Sequence, residues 1–429
     1  MGPLSGLDLT QGPLTGAVTA LAAAAVVYLL ARRWRRGFLI PVLTVVVACL
    51  TACAAGWWAT ESGLSTHPLP ADVLAWIGVA TLGILFAAAG IAAGPWRRRL
   101  LSPIAAAVVL AAAALQANAY YGQYRTLADL IGASTADIPS LATVSGTPTA
   151  ASVPLGQRQE SSAVSAHGQV FSSGIPGVPS GFAGRPAYIY LPPAYSAPSH
   201  APLPVLVLVS GQPGSPADWL TGGRIRTILD GFAASHHGLA PVTVVPDVNG
   251  AATANTMCMD SRIARADTYL SADVPVWIRS TLDVSSEPTR WAIGGFSFGG
   301  TCAIQMATLH PGTYGTALDF SGEGEPALGP SRAATVQTAF GGDTKAFEAL
   351  TPLHQLQAHR YPHSWAYFAA GAADAEFTAS MHEVAAAARR AGMTTQATAI
   401  PSTGHSWAVP ATALPSALDW VAARLGLAP

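Results

Sequence analysis

A ten-residue stretch, Trp291–Gly300, restricts the fold of this chain more than any other feature of its sequence. It begins with the apolar residues of a strand, reads Gly-Phe-Ser-Phe-Gly over 295–299, and leads into the helix-like segment Thr301–Leu309. A serine at the tip of a sharp strand-to-helix turn has its hydroxyl clear of the sheet, and the two glycines avoid collisions with neighbouring backbone. The pattern therefore predicts a nucleophilic serine, Ser297, between a buried strand and a helix.

Strands and helices alternate on both sides of this stretch. The predicted strands are Arg185–Tyr195, Leu203–Gly211, Pro241–Pro246, Gly315–Phe320, Ser364–Ala370 and Thr394–Ile400. The predicted helices are Asp218–Ser235, Thr268–Leu282, Thr378–Ala391 and Ala411–Leu425, with residues 322–363 expected to be irregular. This alternation predicts an α/β class with a doubly wound, mostly parallel sheet, whose ligands bind at the carboxyl ends of the strands.

The first third of the chain is strongly apolar. Four runs of 18–22 residues stand out: Leu14–Ala31, Phe38–Trp58, Val73–Gly94 and Leu100–Tyr120. Each is long enough as a helix to span a hydrocarbon core of about 30 Å, and a cleaved signal peptide would explain only one of them. Residues 1–125 are therefore predicted to be a transmembrane region of four helices.

Arginine placement predicts the orientation of these helices. Clusters at 32–36 and 97–99 flank the second and fourth runs, whereas Met1–Thr15 and Ala59–Asp72 contain no Lys or Arg. By the positive-inside rule, both clusters are cytoplasmic, and both termini and the C-terminal domain are extracytoplasmic. The alternative is that the clusters bind anionic lipid headgroups. We expect a multi-pass protein of the cell membrane.

The rest of the chain divides into a linker and a catalytic domain. Residues 126–180 are rich in Ser, Thr, Ala and Pro and are predicted to be a flexible tether, followed by the catalytic domain at 181–429. The net charge of −1 gives no electrostatic case for nucleic-acid binding. No cofactor or metal site is predicted.

A catalytic serine requires a base and an acid that orients the base. His405 is the best-placed base, because it follows the last predicted strand and precedes the final helix. Asp374 follows the penultimate strand, where the acid is expected, and Glu376 and Glu383 are alternatives. The chain order Ser297, Asp374, His405 is one known order of a Ser-acid-His triad.

Two further features surround the predicted nucleophile. The oxyanion hole is expected to combine the backbone N–H of Phe298 with one from the loop after the Leu203–Gly211 strand, that of Gln212. Cys258 and Cys302 are expected to form a disulfide in an exported domain, and two small buried cysteines are the alternative.

Several segments also resemble one known family. They are Tyr188–Tyr195, Gly295–Gly300, His310-Pro311 followed by Asp319–Gly322, and Gly404–Trp407. They resemble the "Putative esterase" (esterase D-like) family of α/β-hydrolases, which includes the antigen 85 mycolyltransferases of actinobacteria. The resemblance implies an α/β-hydrolase fold and ester chemistry through an acyl-serine, with Ser297 and His405 carried over.

The chain departs from this family at two places. The strand before the oxyanion loop ends in Ser210-Gly211, where many relatives have His-Gly, so the resemblance does not define the geometry of the hole. The mycolyltransferases take their acid from a glutamate further along, nearer Glu383, so they do not assign Asp374.

These observations predict a membrane-anchored extracytoplasmic serine esterase. Its expected partners are a small-molecule or lipid ester, such as a cell-envelope lipid, and the bilayer, with no nucleic acid. One alternative is an acyltransferase that passes the acyl group to a sugar or lipid hydroxyl. A second is a non-catalytic membrane-associated binding module.

Overall fold

The chain forms two compact units, Met1–Ser134 and Thr135–Pro429. The structure, a computed structural model, describes residues 5–31, 39–141, 166–197 and 201–427. The first unit is helical and the second is α/β, as the change in sequence pattern predicts.

Long apolar helices dominate the first unit. Among its described residues, those long and apolar enough to cross a membrane are α1 (Pro13–Leu30), α2 (Leu39–Glu61), α3 (Ala71–Ala93) and α4 (Trp96–Tyr121). Large apolar side chains such as Leu43, Trp57 and Leu100 are 62–66% exposed. Water solvates such apolar surfaces poorly, whereas lipid chains solvate them well. The helices therefore fit the predicted transmembrane region. Two short helices follow, α5 (Leu127–Leu130) and α6 (Ala133–Ala136).

An eight-stranded sheet organises the second unit. Its strands are β1 (Gln169–Ser173), β2 (Ala187–Leu191), β3 (Val205–Val209), β4 (Val242–Val245), β5 (Trp291–Phe296), β6 (Thr316–Phe320), β7 (Trp365–Gly371) and β8 (Thr394–Ile400). The spatial order is β1-β2-β4-β3-β5-β6-β7-β8. Pairing is antiparallel between β1 and β2 and between β2 and β4, and parallel between the other neighbours. This is the predicted mostly parallel sheet.

Helices lie between and after the strands of the sheet. They are α7 (Ile225–Ser235), α8 (Ala266–Thr268), α9 (Val274–Thr281), α10 (Phe298–Leu309), α11 (Arg332–Phe340), α12 (Thr344–Glu348), α13 (Pro352–Ala358), α14 (Ala375–Arg390) and α15 (Ala408–Leu425). Every residue of β3, β4, β5 and β6 is buried, because helices and loops cover both faces of these strands.

Three expectations differ from the structure. The range 126–180, predicted to be linker, contains α5, α6 and the edge strand β1, and residues 142–165 of it lie outside the described residues. The range 322–363, predicted to be irregular, contains the short helices α11, α12 and α13, of which α11 and α12 begin at side-chain caps. The predicted helix Thr268–Leu282 is instead α8, a π-helical turn and α9.

The parallel strands bring the predicted chemical groups to one edge of the sheet. Because β3, β5, β7 and β8 run in the same direction, the loops after their carboxyl ends lie side by side. Strand pairing matches Val209 with Gly295, and Gly371 with Ile400.

Candidate active site

Ser297 occupies the turn between β5 and α10. Its φ of 58° and ψ of −120° lie in a region that costs non-glycine residues about 1–3 kcal/mol. The Ser297 N–H donates to the Phe320 carbonyl at 2.8 Å, which fastens the turn to the neighbouring strand. The strain is held by the surrounding backbone, as expected of a nucleophile elbow.

The glycines on either side of the elbow are required by close backbone approach. A β-carbon on Gly295 would lie 2.1 Å from the Gly299 carbonyl oxygen, and one on Gly299 would lie 2.1 Å from the Val209 carbonyl oxygen. Both obstacles are backbone atoms, so a side-chain rotation cannot relieve them. The Gly-x-Ser-x-Gly pattern thus follows from packing of the turn against itself and against β3.

His405 lies beside the serine. It comes from the loop between β8 and α15, and its Nε2 is 2.8 Å from the Ser297 Oγ. The imidazole stacks on Phe377 with ring centroids 3.9 Å apart, and on Phe296 at 5.0 Å. These two aromatic rings restrict the orientation of the imidazole.

Asp374 lies on the other side of the imidazole. Its Oδ2 is 3.3 Å from the His405 Nδ1, while its Oδ1 accepts the Phe377 N–H at the start of α14. The contact to the imidazole is longer than an ideal hydrogen bond, and such contacts often shorten when substrate binds. Glu376 and Glu383, the alternative acids, are exposed residues of α14. The structure therefore brings Ser297, His405 and Asp374 together.

The predicted oxyanion donors lie next to the nucleophile in the chain or in space. Phe298 is the first residue of α10, whose N-terminal amides carry the positive end of the helix dipole. A β-carbon on Gly211 would lie 3.6 Å from the Ser297 Cβ, so the loop that carries Gln212 abuts the elbow. The Gln212 side-chain amide donates to the Thr253 carbonyl at 3.1 Å, which directs this side chain toward Thr253.

Cys258 and Cys302 are joined by a disulfide. The bond links the loop after β4 to the first turns of α10, five residues past the nucleophile. Gln305, fully buried on the same helix, donates to the Cys258 carbonyl at 2.9 Å. The loop is therefore fixed to the elbow helix by one covalent bond and one buried hydrogen bond.

Sequence reasoning gave no role to Asp319, a buried acid beneath the elbow. Asp319 lies at the end of β6 and is 3% exposed. Burial raises the pKa of its carboxyl to about 7, although the Gly322 N–H that donates to it favours the charged form. In the sequence, Asp319 was noted only as part of the segment Asp319–Gly322 that resembles the family, and this pattern does not indicate that its carboxyl is buried.

Ser210, the departure from the family pattern, lies between β3 and the oxyanion loop. It is 8% exposed, and its hydroxyl has no hydrogen-bond partner among the described residues. Phe377 was also missed, because a phenylalanine early in an amphipathic helix usually belongs to the core.

A family model described as "Putative esterase" matches residues 184–422, more than half of the chain. The chain belongs to this esterase family. An uncharacterized protein of Corynebacterium glutamicum is 41% identical over 254 residues, which cover 58% of this chain and 59% of that protein. The MPT51 antigen of Mycobacterium leprae is 29% identical over 106 residues, covering 25% of this chain and 32% of that protein. This chain therefore matches less than two thirds of the length of either relative.

The solved structures show the fold. A ferulic acid esterase superimposes with a TM-score of 0.52 at 17% identity, covering 60% of this chain and 98% of that one. These findings confirm the predicted α/β-hydrolase fold and the relation to antigen 85 proteins. The family match lies within the second unit, which contains Ser297, His405 and Asp374.

Proposed function

We propose that the protein is a membrane-anchored serine esterase whose catalytic residues are Ser297, His405 and Asp374. The observation that carries the proposal is the 2.8 Å approach of the His405 Nε2 to the Ser297 Oγ, with Asp374 behind the imidazole. Membership of an esterase family supports the same chemistry. The non-catalytic alternative is not retained, because it explains neither the strained serine nor the adjacent imidazole.

In the acylation step, the Ser297 Oγ attacks the ester carbonyl carbon while the His405 Nε2 takes the hydroxyl proton. The tetrahedral oxyanion accepts hydrogen bonds from the backbone N–H groups of Phe298 and Gln212. The carbon–oxygen bond to the leaving group then breaks, and His405 gives its proton to the departing alkoxide. Asp374 stabilises the imidazolium that forms between these transfers.

In the deacylation step, His405 takes a proton from water as the water oxygen attacks the acyl-serine carbonyl. The bond to the Ser297 Oγ breaks, the serine regains its proton, and a carboxylic acid leaves. An alcohol in place of water would give a new ester, so the same site serves acyl transfer. The relation to antigen 85 proteins favours testing this second function.

Turnover of a model acyl ester by the full chain in detergent tests the proposal and separates the two functions. We expect release of the free acid, with loss of at least ~10³-fold in kcat for Ser297→Ala. The matched control is Ser280→Ala, a change of an exposed serine on α9 that should leave kcat unchanged. Products that contain a new ester only when a sugar is added would instead identify an acyltransferase.

We further propose that the catalytic unit is extracytoplasmic and acts on a lipid or another ester of the cell envelope. Support comes from four membrane-length helices and from the arginines at 97–99, which begin α4. The cluster at 32–36 lies outside the described residues. A C-terminal reporter active only in the cytoplasm should stay silent, and an active one would contradict this orientation.

A further inference from the structure

The Gly211–Gly214 loop, which carries the proposed oxyanion donor Gln212, is held by a second loop. This second loop is residues 247–256, which follow β4. The Gly214 N–H donates to the Ala252 carbonyl at 2.8 Å, and the Gln212 side-chain amide donates to the Thr253 carbonyl at 3.1 Å. The position of the oxyanion loop therefore depends on the shape of the 247–256 loop.

Asp247 holds the first turn of the 247–256 loop. Its carboxylate accepts the N–H groups of Asn249 at 3.2 Å and Gly250 at 3.1 Å, which turns the chain back toward the oxyanion loop. The side chain is only 2% exposed, so its charge needs a partner inside the protein.

Arg185 supplies this partner from the residues that precede β2. Its Nε and Nη2 donate to the two carboxylate oxygens of Asp247 at 2.8 and 2.9 Å, in the two-pronged geometry that a guanidinium allows. The Nη2 also donates to the Gly214 carbonyl at 3.0 Å. One guanidinium thus touches both the anchor of the 247–256 loop and the end of the oxyanion loop.

We propose that Arg185 is a positioning residue for the oxyanion hole. It acts through Asp247 and Gly214, and holds the Gln212 N–H where the negative charge develops on the substrate oxygen. The proposal rests on the proposed function, because it assumes that Gln212 serves this role. A purely structural ion pair would join the residues before β2 to the end of β4 without any bond to Gly214.

Arg185→Lys is the decisive variant. An ammonium keeps the charge beside Asp247, but it cannot reproduce the planar fork that reaches both carboxylate oxygens and the Gly214 carbonyl. Removal of an oxyanion donor costs about 10²–10³-fold in kcat, so a displaced donor is expected to cost about 10- to 50-fold. Arg185→Met is a harsher companion that leaves a buried carboxylate unpaired and can unfold the domain.

The experiment measures kcat, KM and the affinity of a trifluoromethyl ketone for the full chain in detergent. Such ketones bind serine hydrolases as a tetrahedral oxyanion and so report on the hole directly. For Arg185→Lys we expect kcat to fall about 10- to 50-fold, KM to change less than about threefold, and ketone affinity to fall in parallel with kcat/KM. Arg226→Met, which removes an exposed arginine of α7, is the control and should leave all three unchanged.

Two failures are distinguishable. If the wild-type chain does not turn over the ester, or if its turnover persists in Ser297→Ala, the proposed function fails. If the wild type is active and the folded Arg185→Lys variant keeps its kcat and ketone affinity, only the inference about Arg185 is overturned. A melting temperature above the assay temperature shows that the variant is folded.

Discussion

At the residue scale, the elbow is defined by a local constraint on the backbone. Glycine is required where the backbone passes within contact distance of itself, and the resulting spacing is visible in the letters alone. Asp374 could be placed after the right strand, but its choice over Glu376 and Glu383 depends on where α14 begins. The three carboxyl groups differ in position by a few ångströms, and the spacing of residues along the sequence does not encode such differences.

Gly295→Ala should abolish the native elbow. The new methyl group would meet the Gly299 backbone at 2.1 Å, so we expect a loss of at least ~3 kcal/mol in the free energy of unfolding, or failure to fold. Thermal unfolding measures the effect. The control is Gly231→Ala in α7, where open space surrounds the position and the helix should gain ~0.5–1 kcal/mol. An unaltered melting temperature for Gly295→Ala would contradict the packing argument.

Asp374→Asn should lower kcat by about 10²–10⁴-fold, because an amide cannot stabilise the imidazolium and favours the wrong tautomer. Steady-state kinetics measure the effect. Glu376→Gln and Glu383→Gln are matched controls, since both side chains are exposed on α14, and each should change kcat by less than about threefold. A larger loss for Glu383→Gln than for Asp374→Asn would assign the acid to Glu383.

Asp319 should make stability depend on pH. Burial raises the pKa of Asp319 to about 7 from an ordinary 3.8. The protonated carboxyl therefore makes its full contribution to the free energy of unfolding at pH values below the pKa of this group in the unfolded chain. That contribution is lost as the pH rises through about 7 and a buried carboxylate must ionise. The melting temperature of Asp319→Asn relative to wild type should therefore increase between pH 4 and pH 8. Asp419→Asn, at an exposed position of α15, should show no such trend; an equally flat curve for Asp319→Asn would refute the effect.

At the element scale, strands with continuous apolar runs were predicted, and elements without a clear hydrophobic pattern were missed. The buried strands β3 and β5 have continuous apolar runs, whereas β1 is a five-residue edge strand with one buried side chain. The helices α11 and α12 are nine and five residues long, and depend on the caps Ser331 and Asp343 more than on a periodic pattern. Such elements form because tertiary packing supports them, which a local pattern does not reveal.

The disulfide should stabilise the loop that packs on α10. Cys258 and Cys302 enclose a separation of 44 residues, for which chain entropy gives about 4 kcal/mol. We expect the double variant Cys258→Ala, Cys302→Ala to melt at a lower temperature than the oxidised wild type. Reductant should lower the wild-type melting temperature toward that of the double variant and leave the double variant unchanged. Equal melting temperatures with and without reductant would contradict a stabilising bond.

At the scale of the whole molecule, two kinds of pattern divide the sequence. Membrane-length apolar helices and an alternating α/β pattern are both global signals, so the two units were predicted with the right class. The boundary between them was not, because α5, α6 and β1 lie within a stretch of Ser, Thr, Ala and Pro that resembles a linker. Substrate choice stays a proposal, because the elbow defines a nucleophile and not the acyl group it accepts.

The central claim is that Ser297 is an activated nucleophile. Labelling of the full chain with a fluorophosphonate tests it most directly, because the reagent bonds only to serines made nucleophilic by an adjacent base. We expect one label per chain, located by mass spectrometry on Ser297, with loss of labelling in Ser297→Ala and slow labelling in His405→Ala. Labelling that persists in Ser297→Ala, or wild-type chain that does not react, would contradict the account.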